Sequence, residues 1–320
     1  MTRALSVGKL RGLRECSASG GTFSMLALDH RNNLRKVLNP ENPGQVSDRD
    51  LTAFKSEAVA ALAPAATAVL LDPEFGAAQT IANGAMPGDR GLIVAVERTG
   101  YTGLSHARES RLLENWGPAK VRRMGASAAK LLVYYHPDST TAKEIEELVR
   151  QVADACARED LLLVLEPLVY NPDPSGERLT SSARRHAILE AARRLAAPGV
   201  DLLKSEFPAE SANEAEWLAA CEELTAASRA PWILLSAAVD FETFLRQTEA
   251  ACRGGASGVA VGRAVWTEAP RLPAGERAAF LRGEARRRMT AVTASCSERG
   301  RPWSEIYSAP DVDTTWFTRY

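Results

Sequence analysis

A lysine set inside an apolar, strand-like run is the residue of this chain best suited to covalent chemistry. Lys204 follows two leucines in Asp201-Leu202-Leu203-Lys204-Ser205-Glu206-Phe207. A buried ammonium is costly unless it is paired or loses its proton. The chain carries 7 Lys against 32 Arg, so it uses arginine almost wherever it needs a positive charge. A lysine kept at such a position suggests that arginine would not serve there. Lysine can release its proton in a protein and arginine cannot. The neutral amine adds to a ketone to give an imine, which acts as an electron sink for cleaving a neighbouring carbon–carbon bond. The alternative is a structural lysine paired with Glu206 or with a neighbouring strand.

Other candidates fall at the ends of similar runs. Glu166 closes Leu161-Leu162-Leu163-Val164-Leu165, where a carboxylate could move protons, and Asp29 closes Ser24-Met25-Leu26-Ala27-Leu28 in the same way. Either could instead face solvent or cap the next helix. Lys130 opens Lys130-Leu131-Leu132-Val133-Tyr134-Tyr135. Facing the same cavity it would press on the proton affinity of Lys204; at a strand end it would extend its head into water. Ser236 and the pair Gly262-Arg263 end two further runs. Backbone N–H groups and an arginine there would suit a phosphate, and an ordinary turn with a surface arginine is the alternative. The histidines are His30, His106, His136 and His186. They show no H-x-x-x-H or H-E-x-x-H spacing, so a dedicated metal centre has weak support. Only His30, beside Asp29, has a functional reading.

Eight elements are needed to position these residues, and eight apolar runs are present. They cover 24–29, 68–72, 92–97, 130–135, 161–166, 201–207, 232–236 and 258–263. Their ends carry Asp29, Asp72, Glu97, Glu166, Lys204 with Glu206, Ser236 and Arg263. Continuous rather than alternating hydrophobicity is the mark of parallel strands buried on both faces. Helical patterns fill most intervals. Ile145, Leu148, Val149, Val152 and Cys156 share one face, as do Phe241, Phe244, Leu245, Thr248 and Cys252. Ser47-x-x-Asp50 and Ser211-x-x-Glu214 read as capping boxes, and Gly254-Gly255 as a helix end. The interval between the second and third runs is only weakly helical.

The expected fold is therefore a (β/α)8 TIM barrel, with functional groups at the C-terminal ends of its strands. An open doubly wound sheet would show a glycine-rich phosphate loop after its first strand. Here that strand is followed by Asp29-His30-Arg31-Asn32-Asn33. The expected organisation is one domain over residues 1–320, with a barrel core at about 24–296, an N-terminal helix, a C-terminal helical extension and a tail over 297–320 that packs Trp303 and Trp316 against the body. Residues 170–180 read as a loop over one end.

Composition narrows the function classes. The chain is 45% hydrophobic and 25% charged, with a net charge of -1, and nothing in that balance calls for nucleic acid or an anionic membrane as a partner. The five cysteines are scattered and odd in number, so neither a disulfide framework nor a zinc site is expected and a cytoplasmic setting is. The first residues lack the apolar core of a signal peptide, and no apolar run is long enough to span a bilayer.

The runs and their flanks resemble the tagatose-1,6-bisphosphate aldolases. The resemblance is carried by Ala18-Ser19-Gly20-Gly21, Met25-Leu26-Ala27-Leu28-Asp29-His30-Arg31, Leu70-Leu71-Asp72-Pro73-Glu74-Phe75-Gly76 and Glu97-Arg98-Thr99-Gly100-Tyr101. It continues through Lys130 to Tyr135, Asp201 to Pro208, Pro231 to Ser236, Val261-Gly262-Arg263-Ala264-Val265-Trp266 and Pro302-Trp303-Ser304-Glu305. The related sulfofructose-phosphate aldolases share the Ser-Gly-Gly start, a Glu-Pro pair like Glu166-Pro167 and the Gly-Arg-Ala-Val-Trp ending. Both are barrel aldolases that use a Schiff base and no metal.

The resemblance implies that Lys204 is the imine lysine and Glu166 the acid/base, with Lys130 and Asp29 in support. It implies a phosphate near Ser236, Gly262 and Arg263 and the other polar end of the substrate near His30 and Arg31. The expected reaction is cleavage of a ketohexose 1,6-bisphosphate, tagatose or fructose type, to dihydroxyacetone phosphate and glyceraldehyde 3-phosphate. The alternatives are the same chemistry on a sulfonated sugar phosphate and a barrel that binds a sugar phosphate without cleaving it. Both families usually carry Gln where this chain has His30, and residues 311–320 have no counterpart in either. A homo-oligomer is left open.

Overall fold

The computed structural model describes residues 2–196, 199–211, 213–237 and 239–320. Eight parallel strands close into a barrel: β1 (Phe23–Leu28), β2 (Ala68–Leu71), β3 (Gly91–Ala95), β4 (Ala128–Tyr135), β5 (Leu162–Val169), β6 (Leu202–Ser205), β7 (Trp232–Leu235) and β8 (Gly258–Val261). Each pairs in parallel with the strands before and after it, and β8 closes on β1. The protein is a (β/α)8 TIM barrel. All eight apolar runs are strands, within a few residues of their sequence limits.

The runs are continuously apolar because the strands serve two cores. Phe23, Met25, Ala27, Ala68, Leu70, Ile93, Ala128, Leu162, Val164, Leu202, Ile233 and Ala260 fill the barrel interior. The alternate residues, among them Leu26, Val69, Val94, Leu131, Leu163, Leu203, Leu234 and Val259, pack outward against the helices. This period of two fixes which strand-end residues point inward. Gly258 opens β8 at φ +138, and a Cβ there would lie 1.8 Å from the carbonyl oxygen of Phe23. The last strand can close on the first only because this residue has no side chain.

Helices follow the sequence patterns with one exception. α1 (Val7–Cys16) runs under the barrel, and its Leu10, Leu13 and Cys16 complete the interior core from below. α2 (Asp48–Leu62) opens with the Ser47–Asp50 capping box. α3 (Ala142–Arg158) and α5 (Phe241–Arg253) bury the faces read from their spacing, with Leu148 and Leu245 only half-buried. α4 (Glu214–Ala227) departs from expectation. Its cap is Asn213, whose side chain accepts from the N–H of Ala215, while Ser211, two residues earlier, accepts from the N–H of Asn213. The residue directly before the helix satisfies the first-turn donor in place of Ser211. An antiparallel hairpin, Thr102–Leu104 with Ala107–Glu109, stands on the chain after β3 and was not foreseen.

The chain termini seal the lower end. Arg3–Ala4 pairs with Tyr307–Ser308, and buried Trp303 donates through Nε1 to the Ser17 hydroxyl. Lys9 of α1 meets Asp201, just before β6, at 2.7 Å. Trp316 is half-buried and packs edge-on against Tyr320, whose hydroxyl reaches Asp160. All five cysteines are free and buried. Among the described residues no helix is long and apolar enough to cross a membrane.

Asp72, expected among the strand-end groups, is withdrawn from the top of the barrel. The chain turns as it leaves β2, and the carboxylate pairs with Lys55 of α2 while accepting the N–H of Phe75. Both charged side chains are fully buried. Removing one partner of such a pair strands the other charge and costs about 3–5 kcal/mol. Asp72→Asn keeps the acceptor for Phe75 but unpairs Lys55, so urea denaturation should show a loss of that size. Adding Lys55→Met to it should recover most of the stability. A single-variant loss below about 1 kcal/mol would mean that the pair does not hold α2 to the barrel.

Candidate active site

Five inward-pointing charged side chains meet at the C-terminal end of the barrel. Their parity follows from the interior core: Asp29 continues Met25 and Ala27, Lys130 follows Ala128, Glu166 follows Val164, Lys204 follows Leu202, and Glu97 continues Ile93 and Ala95. Lys130 is the third residue of an eight-residue strand, so it lies within the barrel wall and reaches upward.

The ammonium of Lys130 is the hub of this cluster. It lies 2.8 Å from Asp29 Oδ2, 2.7 Å from Glu97 Oε1 and 2.9 Å from Glu166 Oε2, and the residue is 1% exposed. Lys204 Nζ is 2.9 Å from that same Glu166 oxygen. Glu166 therefore bridges the two ammonium groups through ionic contacts that lack good hydrogen-bond angles. Arg31 adds a third positive charge 3.8 Å from Glu97. Three carboxylates face three cations, so the cluster is close to neutral although nearly dry.

The charges set one another's proton affinities. Burial opposes ionisation of Asp29, but the Lys130 and Lys204 ammonium groups hold its carboxyl well below the usual range. Burial likewise works against the charge on Glu166, and the same two lysines outweigh it and lower its pKa. Burial also disfavours the Lys130 charge, yet Asp29, Glu166 and Glu97 together push its pKa well up. Lys130 thus stays an ammonium and Glu166 a carboxylate at neutral pH.

These groups line a cavity of about 380 Å³ together with His30, Arg31, Ser236, Gly262 and Arg263. The structure brings all nine residues singled out in the sequence to this one cavity. It separates two that the resemblance had placed together. His30 turns toward β8: its ring packs edge-on against Trp266 at 5.5 Å, and its Cε1 would lie 3.1 Å from a Cβ at Gly262. Arg31 is drawn the other way and donates to the Glu97 carbonyl at 2.7 Å and to Glu74 at 2.6 Å. Its guanidinium is buried and already paired, and the residue after Glu97 is the exposed Arg98. Successive residues leaving a strand point to opposite sides, so adjacency in sequence did not mean one subsite.

On the β7–β8 side the N–H of Gly262 donates to the Ser236 hydroxyl at 2.8 Å, and Arg263 Nε is buried without a hydrogen-bond partner. Ala238, two residues after Ser236, lies outside the described residues. Glu206 is not the partner of Lys204. It accepts the N–H of Val169 at 2.8 Å and pairs with Arg184 at 2.8 Å, bracing β5 against the helix after it. Glu97 was visible in the sequence only as one strand end among several. The signal that could have singled it out is its inward phase on β3, which faces Lys130 across the β3–β4 pairing. Among the described residues, no three His, Cys, Asp or Glu side chains are grouped to hold a metal ion; the cation at the centre of the carboxylates is an ammonium.

His30 gives the site a measurable signature. Burial pushes its imidazole down to about 4, with Asp29 opposing and Arg263 reinforcing the shift. The folded protein then binds this proton less readily than the unfolded chain, whose histidine titrates near 6.5. Stability from this group is complete above about pH 6.5 and is lost as pH falls toward 4. His30→Gln should flatten the stability–pH curve between these limits, as read by urea denaturation. An unchanged slope would mean that the imidazole is protonated in the folded state.

The sequence and the fold have relatives. The model of the "DeoC/LacD family aldolase" matches residues 23–268, a span that includes all eight strands. Tagatose 1,6-diphosphate aldolase 2 of Enterococcus faecalis is 30% identical over 93% of this chain and 96% of its own length. Tagatose 1,6-diphosphate aldolase of Listeria monocytogenes is 28% identical over 95% and 96%. Among solved structures, an archaeal fructose 1,6-bisphosphate aldolase superposes with a TM-score of 0.60 at 19% identity, covering 91% of this chain and 99% of that one. An archaeal fructose-1,6-bisphosphate aldolase with its catalytic Lys covalently bound to the carbinolamine intermediate gives 0.56 at 18% identity, covering 89% and 99%. The match through every strand and the end-to-end alignment with the two tagatose 1,6-diphosphate aldolases give one answer: this chain belongs to the DeoC/LacD family of aldolases and is a carbon–carbon lyase.

Proposed function

We propose that the chain, acting as one barrel unit with its terminal additions, is a class I aldolase that cleaves a ketohexose 1,6-bisphosphate of tagatose or fructose type. The observation that carries this reading is the shared contact of one Glu166 oxygen with Lys204 and Lys130, 2.9 Å from each. An amine nucleophile, a carboxylate able to take its proton and a permanent cation beside them are the parts that imine catalysis needs.

In this reading Glu166 relieves Lys204 of a proton, and the neutral amine adds to C2 of the ketose. Glu166 returns that proton to the carbinolamine hydroxyl, which leaves as water and gives an iminium. Glu166 then takes the proton of the C4 hydroxyl as C3–C4 breaks, and the bonding pair flows into the iminium to form an enamine. Glyceraldehyde 3-phosphate leaves. Protonation of the enamine at C3 and hydrolysis of the imine release dihydroxyacetone phosphate and restore Lys204. Lys130 keeps Glu166 ionised and compensates charge as Lys204 changes state, and Asp29 holds Lys130 in place. The C1 phosphate is assigned to Ser236, Gly262 and Arg263, where the unpartnered Arg263 Nε supports the choice. The other phosphate is assigned to the Arg31 side, with His30 nearer the first. No cofactor has a role in these steps.

The names of the two tagatose 1,6-diphosphate aldolases favour this substrate over the sulfonated sugar phosphate, and family membership favours catalysis over binding alone. The test is Lys204→Arg, which keeps the charge and removes the nucleophile. Cleavage of ketohexose 1,6-bisphosphate, followed by release of the triose phosphates, should fall on the order of 10⁴-fold or more while circular dichroism stays unchanged. Substantial residual turnover would remove Lys204 from the chemistry.

A further inference from the structure

The barrel order gives the substrate a direction, and that direction points to a residue the mechanism has not used. β4 lies four strands from β8 whichever way the barrel is followed. With the C1 phosphate on the β7–β8 side and C2 at Lys204 of β6, the carbons from C4 onward run toward β5 and β4. Beside Lys130, Leu132 and Leu168, two side chains of these strands line the cavity there. One is Glu166. The other is Tyr134, two inward positions above Lys130 on β4 and also part of the cavity wall. Among the described residues Tyr134 is hydrogen-bonded through its backbone N–H to Ser110 and not through its hydroxyl, and the residue lines the cavity.

The ring is held with unusual care. Arg108, on the hairpin after β3, places its guanidinium over three tyrosine rings: Tyr101 at 4.5 Å, Tyr170 at 4.7 Å and Tyr134 at 5.3 Å. Tyr101 packs edge-on against Tyr134 at 5.1 Å. Arg108 is fixed in turn. Its Nε donates to the Ser105 carbonyl at 2.9 Å, its N–H donates to the Tyr170 hydroxyl at 3.2 Å, and its carbonyl accepts from Thr141 at 3.0 Å. Burial raises the pKa of Tyr134, so the phenol keeps its proton and is available as a donor. A cation with aromatic faces rather than carboxylates around it contributes through ring geometry, and here the geometry fixes one phenol over the cavity.

We propose that Tyr134 donates a hydrogen bond to the oxygen on C4, the atom that becomes the aldehyde oxygen, and that Arg108 is a positioning residue acting through that ring. The inference rests on the retro-aldol reading. Negative charge grows on this oxygen as its proton passes to Glu166 and fades as the carbonyl forms. The phenol keeps its own proton throughout, and its hydrogen bond is strongest while the charge is greatest. The half of the substrate that stays on Lys204 is not touched.

That division supplies the test. Tyr134→Phe should lower kcat for cleavage of ketohexose 1,6-bisphosphate on the order of 10²-fold. Exchange of the hydroxymethyl hydrogen of dihydroxyacetone phosphate with solvent deuterium, followed by NMR, needs the imine but no aldehyde. It should stay within roughly threefold of wild type. Arg108→Ala should lower cleavage less, again sparing exchange, and should add nothing in the Tyr134→Phe background. Cleavage by Tyr134→Phe within roughly threefold of wild type, or equal losses of cleavage and exchange, would overturn the assignment. A wild-type protein that catalyses neither reaction would bring down the retro-aldol reading, and this inference with it.

Discussion

One buried ammonium organises the site. Lys130 is held by Asp29, Glu97 and Glu166 from three other strands, and without it three carboxylates would lie together in a nearly dry barrel. Lys204 and Arg31 alone would balance only part of that charge, and like charges in a low-dielectric site drive one another to bind protons. The lysine removes that conflict and ties β1, β3, β4 and β5 together at their upper ends. It also leaves one Glu166 oxygen directed at Lys204. The ionic state of Glu166, the placing of the nucleophile and the neutrality of the cavity floor all follow from this one cation.

The remainder of the molecule keeps that cluster in register. The interior core below it is apolar and is closed from beneath by α1. Asp72 with Lys55 braces the outer layer away from the cavity, while Glu206, paired with Arg184, stands on the cavity wall. Charge is thus sorted by level: apolar side chains fill the barrel up to Lys130, and the titratable groups begin there. A barrel built this way can change its substrate by changing the loops while its proton-handling floor stays fixed.

The fold was largely legible in the sequence, because strands buried on both faces leave an unbroken apolar signature and all eight runs carried it. Whether Lys130, Glu166 and Asp29 share a cavity with Lys204 was left open by the sequence, and the inward phase of the folded strands answers it. What the sequence hid was pairing through space. Glu97 looked no different from Asp72, yet one faces Lys130 and the other meets Lys55 outside the cavity. Glu206 sits two residues after Lys204 and was one of its possible partners, but Arg184 and the N–H of Val169 engage it, and Lys204 meets Glu166 on the adjacent strand. His30 and Arg31 are neighbours in sequence and part company in space, because each side chain's direction is set where the strand ends. The hairpin that carries Arg108 had no signature beyond short polar residues.

The central claim is that the amine of Lys204 forms a covalent bond to a ketose phosphate. Borohydride reduction of the protein incubated with dihydroxyacetone phosphate, followed by digestion and mass spectrometry, tests it most directly, because reduction converts a transient imine into a stable amine. The account predicts a reduced triose phosphate adduct on the peptide that contains Lys204 and on no other. Ligand binding without any adduct, or an adduct carried by Lys130 in its place, would contradict it.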